Sequence, residues 1–428
     1  AYALVGPQLP DWLFPHRGYD ISRIASQTFL RTEGVFGTAL NVMFKYVYLF
    51  VVFGAFLEVS GATQFIVDFA QRLFGRSGGG AAKVGVLGSG LMGSLSGSAV
   101  ANAVTTGTFT IPMMRSSGFK PHIAGGITAA AASGGALVPP VMGAGAYMML
   151  EIVDPPVTFV QIVKAATIPA VLYYLSIFLI VHFYAKNIGV ADDAKNEKLD
   201  PTKGRLLSPE GLTFFGALGL LIGLLVSGMS PVRAVTGSLG LILVCTLFNP
   251  KVKVPARSRY LALLAVPVIG TVLKVFLPMI NPDMGSWSNV GIFSMVSLLL
   301  LGMTNRDWRP IIVDALVKSA RNGVSLVCAS ACVGIIIGVV TLTGVGTAFP
   351  NAIVPIAEHS LFLALVAIMV CSIVLGMGLP SAVCYLLMAT LIGPVLNKLG
   401  VPPLAAHMFI FYFGMMSMVT PPVALAAY

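Results

Sequence analysis

Charge is what this sequence has least of. Asp, Glu, Lys and Arg make up 10% of its residues, where a soluble domain carries about 25%, so a water-facing globular surface is excluded. Five cysteines (Cys245, Cys328, Cys332, Cys371 and Cys384) all lie inside apolar segments. Cys328 and Cys332 share a helix face, but no His or carboxylate completes a ligand set, and the thiols read as packing. There is no phosphate-cradling Gly-rich loop, so ATP drive is not encoded here, and there is no nucleophile elbow. The chain does not read as an enzyme, and no organic cofactor is expected. Its formal charge of +10 invites a nucleic-acid reading. The basic residues sit between apolar spans and form no stripe, so nucleic acid is not an expected partner.

Apolar length is what the sequence has in excess. Hydrophobic residues make up 57% and mean hydropathy is +0.90. Runs at 35–57, 159–185, 211–227, 234–248, 261–278 and 323–341 approach the roughly 20 residues that cross a bilayer. An all-α integral membrane protein, embedded in a lipid bilayer, is the expected class.

Two stretches far apart in the chain read as variants of one another. Ser94-Leu95-Ser96-Gly97-Ser98-Ala99-Val100-Ala101-Asn102 leads to Val138-Pro139-Pro140, and Leu375-Gly376-Met377-Gly378-Leu379-Pro380-Ser381 leads to Thr420-Pro421-Pro422. Each breaks an apolar segment with glycines and hydroxyls, and matching interruptions in two halves point to a transporter's binding site. Each half follows one series. An amphipathic segment (20–32; 307–320) precedes a spanning one, then an interrupted segment (81–114; 361–396), then a span broken at its Pro-Pro pair (121–150; 402–428). Segments of about 35 apolar residues, broken centrally, suit re-entrant hairpins of two half-length helices. Their tips must then face protein or a water-filled cavity, near the midplane.

The expected domains are 1–19, the end of a preceding helix or a linker; 20–150, a first repeat with its hairpin at 81–115; 151–305, connecting scaffold helices with a cytoplasmic linker at 186–209; and 306–428, a second repeat with its hairpin at 361–397. Five spans between the halves (157–185, 211–227, 231–248, 259–279 and 287–303) make an odd number of crossings from repeat to repeat, so the second is inverted. Charge agrees with this count. One face gathers eighteen of the 26 Lys and Arg, including Arg72, Arg115, Lys318 and Arg321, and the other holds Arg17, Arg23, Arg31, Arg233 and Lys398. Positive charge marks the cytoplasmic side, so the first hairpin enters from the cytoplasm and the second from outside.

Neither tip carries a charge. They offer the hydroxyls of Ser94, Ser96, Ser98 and Ser381, the carboxamide of Asn102, and backbone freed by Gly97, Gly376 and Gly378. The broken spans add Ser133, Gly134, Gly135 and Val138, and Ser417, Met418, Val419 and Thr420. Prolines leave nearby carbonyls without helical partners. Hydroxyls and carbonyls suit a hard monovalent cation, while half-helix N-termini suit an anion. The residues thus predict one cation site per half and an anionic substrate between the tips; the bland alternative is small residues serving close helix packing. Among ionisable residues in spans, Lys45 is expected to pair with a carboxylate elsewhere or face a partner chain, and Glu58 and His407 are the proton-relay candidates.

These motifs, with Gly107-Thr108-Phe109-Thr110-Ile111-Pro112, Gly134-Gly135-Ala136-Leu137-Val138-Pro139-Pro140-Val141-Met142-Gly143 and Leu399-Gly400-Val401-Pro402-Pro403-Leu404-Ala405-Ala406-His407, resemble the large membrane subunit of TRAP transporters, the tripartite ATP-independent periplasmic carriers. The wording is most similar to the TAXI branch, whose small and large membrane subunits are often fused. The resemblance covers nearly the whole chain, most weakly at 189–257. It implies an elevator-type transporter of the ion-transporter superfamily in a bacterial inner membrane. It further implies a periplasmic solute-binding protein and a small membrane subunit as partners, and sodium- or proton-coupled import of a small acid such as glutamate, 2-oxoglutarate or a C4-dicarboxylate. Carried over by residue, ion ligands fall on Ser96, Ser98, Gly134 and Pro139, and on Thr343, Gly344, Gly376, Met418 and Thr420. Substrate contacts fall on Ser98, Ala99, Asn102, Gly378, Pro380 and Ser381. The sequence opens on Ala1 and stops at Tyr428 inside an apolar run, the expectation for part of a longer, fused chain. A free-standing divalent-anion symporter stays open as an alternative, as does a channel or a scaffold subunit of a membrane complex.

Overall fold

A computed structural model of the chain describes residues 2–11, 14–189, 204–248, 268, 270–272, 274, 287–345, 360–377, 379, 381–424 and 426–427, with the backbone alone described at 144, 287–290, 381–382, 394–395 and 397–398. Among the described residues the secondary structure is helical, with no strand. In chain order the helices are α1 (Ile21–Ala25, widening into a further turn at Ser26–Leu30), α2 (Thr38–Phe74), α3 (Gly80–Ser96), α4 (Ala99–Ser116), α5 (Pro121–Gly135), α6 (Gly143–Ile152) and α7 (Phe159–Asn187). They continue as α8 (Pro209–Val226), α9 (Pro231–Phe248), α10 (Trp287–Thr304), α11 (Arg309–Thr343), α12 (Leu361–Gly376), α13 (Ser381–Lys398) and α14 (Pro403–Met416). Five of them, α2, α7, α8, α9 and α11, are long and apolar enough to cross a bilayer.

Local chemistry sets many of the ends. Thr158 accepts from the Gln161 N–H while the Gln161 side chain accepts from the Thr158 N–H, a capping box that opens α7. Ser208 caps α8, with Pro209 in its first turn, and Ser360 caps α12. Both interrupted segments are indeed pairs of helices, α3–α4 and α12–α13. The first Pro-Pro span is also broken, with 136–142 between α5 and α6. Pro139–Pro140 and Pro421–Pro422 are both cis.

The amphipathic and spanning segments depart from the expected series. The first half keeps them apart: α1 ends in a turn at 31–37, held by Val35 N–H to Thr28 O at 2.7 Å and Gly37 N–H to Gly34 O at 2.9 Å. The second half fuses them into α11, 35 residues long. The first span also continues past residue 57 to Phe74, because Gly61 adopts φ 98° inside a widened turn at Glu58–Ala62 and bends the helix without ending it. Most of the expected span at 259–279 lies outside the described residues, as does most of the linker at 186–209.

The chain divides into two compact units. One comprises residues 1–47, 81–191 and 324–428 and contains both interrupted segments. Its α3–α7 core is built on small side chains (Ala82, Ala124, Ala131 and Ala185) with Val86, Met114, Phe119 and Val181. Small residues let helices approach closely where lipid offers no hydrophobic drive between them. The other unit comprises 48–80 and 192–323. There Phe214 packs with Phe65 and Phe215, and the Trp308 indole donates to Thr246 Oγ1 at 3.0 Å. Phe214 is fully buried, whereas Phe183 on α7 is 61% exposed. Phe214→Ala is expected to cost about 3 kcal/mol and Phe183→Ala under about 1 kcal/mol, read as the thermal midpoint of the purified protein; equal midpoints would contradict this burial.

Candidate functional site

The first interruption is a two-residue gap. α3 stops at Ser96, Gly97 takes φ 59°, and Ser98 is extended and caps α4, its Oγ accepting from the Ala101 N–H at 3.3 Å. The Ser96 hydroxyl, which is exposed, bonds the Ser98 backbone at 3.4 Å. Two glycine contacts hold this gap against the broken span. A Cβ on Gly97 would lie 2.5 Å from Gly143 Cα, at the start of α6, and a Cβ on Gly135 would lie 2.6 Å from Gly93 Cα. The hairpin therefore touches both ends of the break, backbone to backbone.

Asn102 sits at that crossing, 1% exposed. Its amide nitrogen donates to Ser89 O at 2.9 Å and to Ala132 O at 3.3 Å, tying both arms of the hairpin to α5. Its Oδ1 is buried without a hydrogen-bond partner, and so is the Ser133 hydroxyl on the next residue of α5. Such atoms are costly unless something bonds them. Deeper in the hairpin, Ser89 meets Thr106 at 3.0 Å and Thr110 meets Thr128 at 3.4 Å. Asn102 is thus inside the hairpin and not on its exposed tip. Gly134 is buried in the last turn of α5, and Pro139 is half-buried in the break.

The second interruption uses other atoms. A Cβ on Gly376, the last residue of α12, would lie 2.6 Å from Cys384 Sγ and 2.6 Å from Ser417 Oγ. The Cys384 thiol donates to Gly414 O at 3.5 Å. The Thr420 hydroxyl donates to Met416 O at 2.8 Å, and Ser372 Oγ is buried without a partner. Gly378 and Pro380 lie outside the described residues, and only the backbone of Ser381 is described, at the start of α13. Thr343 bonds back to Val339 O at 2.8 Å, and Gly344, at φ 75°, closes α11.

The first interruption meets the second Pro-Pro span. Ala99, first residue of α4, packs with Met418, Val419 and Ala426 of the second broken span. The turn at Ser417–Val419 contacts α5, and α6 lies along α13. The expected ligands Ser96, Ser98, Ala99, Gly134, Pro139, Gly376, Met418 and Thr420 all fall in one unit. Glu58 falls in the other, paired with Lys318 at 3.3 Å. His407 is buried, its Nδ1 2.7 Å from the Tyr385 hydroxyl. Lys45 pairs with Glu151 at 3.6 Å, meeting the expectation of a carboxylate elsewhere. Sequence reading missed Gly93, Cys384 and Ser372. Gly93 stood beside the quoted tip, but nothing local announces that its partner is Gly135. Among the described residues no cluster of His, Cys, Asp or Glu could hold a metal ion.

Comparison with known proteins gives the family. A family model described as the DctM component of the tripartite ATP-independent periplasmic transporters matches residues 12–428. The chain belongs to the DctM family. It is 30% identical over 233 residues to the sialic acid TRAP transporter permease protein SiaT of Haemophilus influenzae, covering 51% of this chain and 36% of that protein. It is 35% identical over 139 residues to the 2,3-diketo-L-gulonate TRAP transporter large permease protein YiaN of Escherichia coli, covering 32% and 30%. A longer match, 23% over 380 residues, is to the sialic acid TRAP transporter large permease protein SiaM of Vibrio cholerae, covering 89% and 74%. The match thus spans about a third of the first two relatives' length. These DctM relatives are named as permeases, which are transporters and not enzymes.

The glycine contacts can be tested directly. Gly135→Ala and Gly97→Ala are each expected to lower thermal stability by about 2 kcal/mol or more, since each Cβ meets backbone. Gly125→Ala, where nothing lies within 4 Å, should be neutral or stabilising by up to about 1 kcal/mol. Equal melting of all three variants would remove the contacts as a constraint.

Proposed function

We propose that this DctM-family chain is the large membrane subunit of a binding-protein-dependent secondary carrier of a bacterial inner membrane. It imports a small organic acid, of glutamate, 2-oxoglutarate or C4-dicarboxylate type, by symport with sodium or protons. The observation that carries this reading is the meeting of the first interruption with the second Pro-Pro span, Ala99 against Met418 and Ala426, inside one compact unit. Asn102 Oδ1 and Ser133 Oγ, buried and without partners, fit a hard monovalent cation. Ser96, Ser98, Gly134 and Pro139 supply further oxygens in that half, and Thr343, Gly344, Gly376, Met418 and Thr420 supply them in the other. The N-termini of α4 and α13, at Ser98, Ala99, Gly378, Pro380 and Ser381, favour the acid's carboxylate. Sialic acid, diketogulonate and C4-dicarboxylate, in the relatives' names, are all carboxylates.

Inverted, re-entrant hairpins are part of the same proposal. One ion pair supports the crossing count, since it joins residues that the count puts on one side: Glu58 with Lys318, toward the cytoplasm. The arms α3 and α4 have 17 and 18 residues, each about 26 Å long, so a midplane tip implies a tilted hairpin. The unit containing both hairpins is the part that an elevator mechanism would move. The motif wording supports the TAXI branch, with a periplasmic solute-binding protein delivering substrate and a small membrane subunit fused in the full-length chain. Glu58 and His407 are the proton sites in this scheme if the coupling ion is H+.

Accumulation of labelled acids in proteoliposomes, under separate sodium and pH gradients, tests the scheme. Uptake is expected only with the cognate binding protein present; uptake that ignores its absence sinks the tripartite reading. With sodium drive, Ser98→Ala and Thr420→Ala should each raise half-saturating sodium about tenfold, a loss of about 1.4 kcal/mol, and wild-type sodium dependence in both removes these ligands.

A further inference from the structure

Three consecutive carbonyls in the last turns of α5 each accept a hydrogen bond from a side chain on another helix. From α7, the Tyr173 hydroxyl donates to Ala130 O at 2.7 Å and the Tyr174 hydroxyl donates to Ala131 O at 2.6 Å. From α4, Asn102 Nδ2 donates to Ala132 O at 3.3 Å. The rings also fill glycine positions. A Cβ on Gly134 would collide with the Tyr173 ring and lie 3.1 Å from Tyr174 Cε2, and one on Gly90 of α3 would lie 3.1 Å from Tyr174 Cε1. Tyr174 therefore stands between the first arm of the hairpin and the helix that breaks.

One tyrosine bonded to a helix carbonyl is ordinary in an apolar bundle; Tyr412 on α14 does this with Ala166 O at 2.9 Å. Two tyrosines and an asparagine on successive carbonyls, directly before Ser133 and shortly before the break at 136–142, have a positional meaning. The last four carbonyls of a helix lack the amide four residues on, and in lipid no water replaces it. Ala132 O is one of these four, and Ala130 and Ala131 precede it. A helix end held at three adjacent oxygens cannot unwind backward from its break.

We propose that Tyr173 and Tyr174, with Asn102, are positioning residues that lock the broken end of α5 and so fix the oxygens of the first-half ion site. The two tyrosines act from α7 through the helix end. This inference rests on reading the break as an ion and substrate site. Loss of the hydroxyls lets 133–143 fray, which weakens ion binding while the packed rings keep the fold.

The test uses the double variant Tyr173→Phe/Tyr174→Phe in the full chain, with Tyr412→Phe as the control for loss of a buried hydroxyl. Hydrogen–deuterium exchange should quicken about tenfold across 133–143 in the double variant, consistent with two lost bonds, and stay unchanged across 403–416. The half-saturating coupling-ion concentration should rise about tenfold, with the substrate KM at saturating ion changed by less than about twofold. Tyr412→Phe should leave 133–143 and ion dependence at wild-type values. Wild-type exchange over 133–143 in the double variant overturns the proposal, as does an equal shift in the control. A wild-type protein without ion-coupled uptake instead defeats the functional reading, and the exchange measurement still decides the positioning role.

Discussion

A helix that breaks inside packed protein leaves amide and carbonyl groups in need of partners, and this chain meets that constraint by bringing two breaks together at backbone distance. Gly93 against Gly135, and Gly97 against Gly143, let the hairpin tip lie on the ends of the broken span with no side chain between. Asn102 then reaches carbonyls on both Ser89 and Ala132. A Cβ at any of these glycines pushes apart the surfaces that make those bonds possible. In lipid, where apolar side chains gain little by leaving their neighbours, such close approach has to come from packing and hydrogen bonding.

The second half solves the same problem in different atoms. Gly376 lies against Cys384 and Ser417, and the Cys384 thiol bonds Gly414 O where the first half uses a carboxamide. The two halves are alike in the order of helix, gap, helix and a helix that stops before a Pro-Pro pair, and unlike in chemistry. Asn102 and Ser133 leave oxygen atoms without partners in the first half, as Ser372 does in the second, where a thiol also stands at the crossing.

Some features were legible because Gly and Pro act locally. The gap at Gly97–Ser98 and the break at Pro139–Pro140 fall where glycine frees the backbone and proline removes a donor. Other signals looked identical and led to different structures. Glu33-Gly34 and Asn322-Gly323 both read as the opening of a span. Gly34 lies in a turn that packs on Gly334 of α11, while Gly323 stays helical and packs on the Tyr48 ring. What distinguishes them is a neighbour hundreds of residues away. Tyr173 and Tyr174 lie within the expected span at 157–185 and nothing local marks them, since their partners are carbonyls on α5.

The sequence by itself determined the class of the molecule, the places where its helices break and the absence of charge at the tips, because apolar length, Gly-Pro chemistry and composition act over a few residues. Only the tertiary structure decided which break meets which, that Asn102 is a brace inside the hairpin, and that Lys45 and Glu58 are engaged by Glu151 and Lys318. Those outcomes depend on distances between segments remote in the chain, which close packing sets and a linear order of residues does not contain.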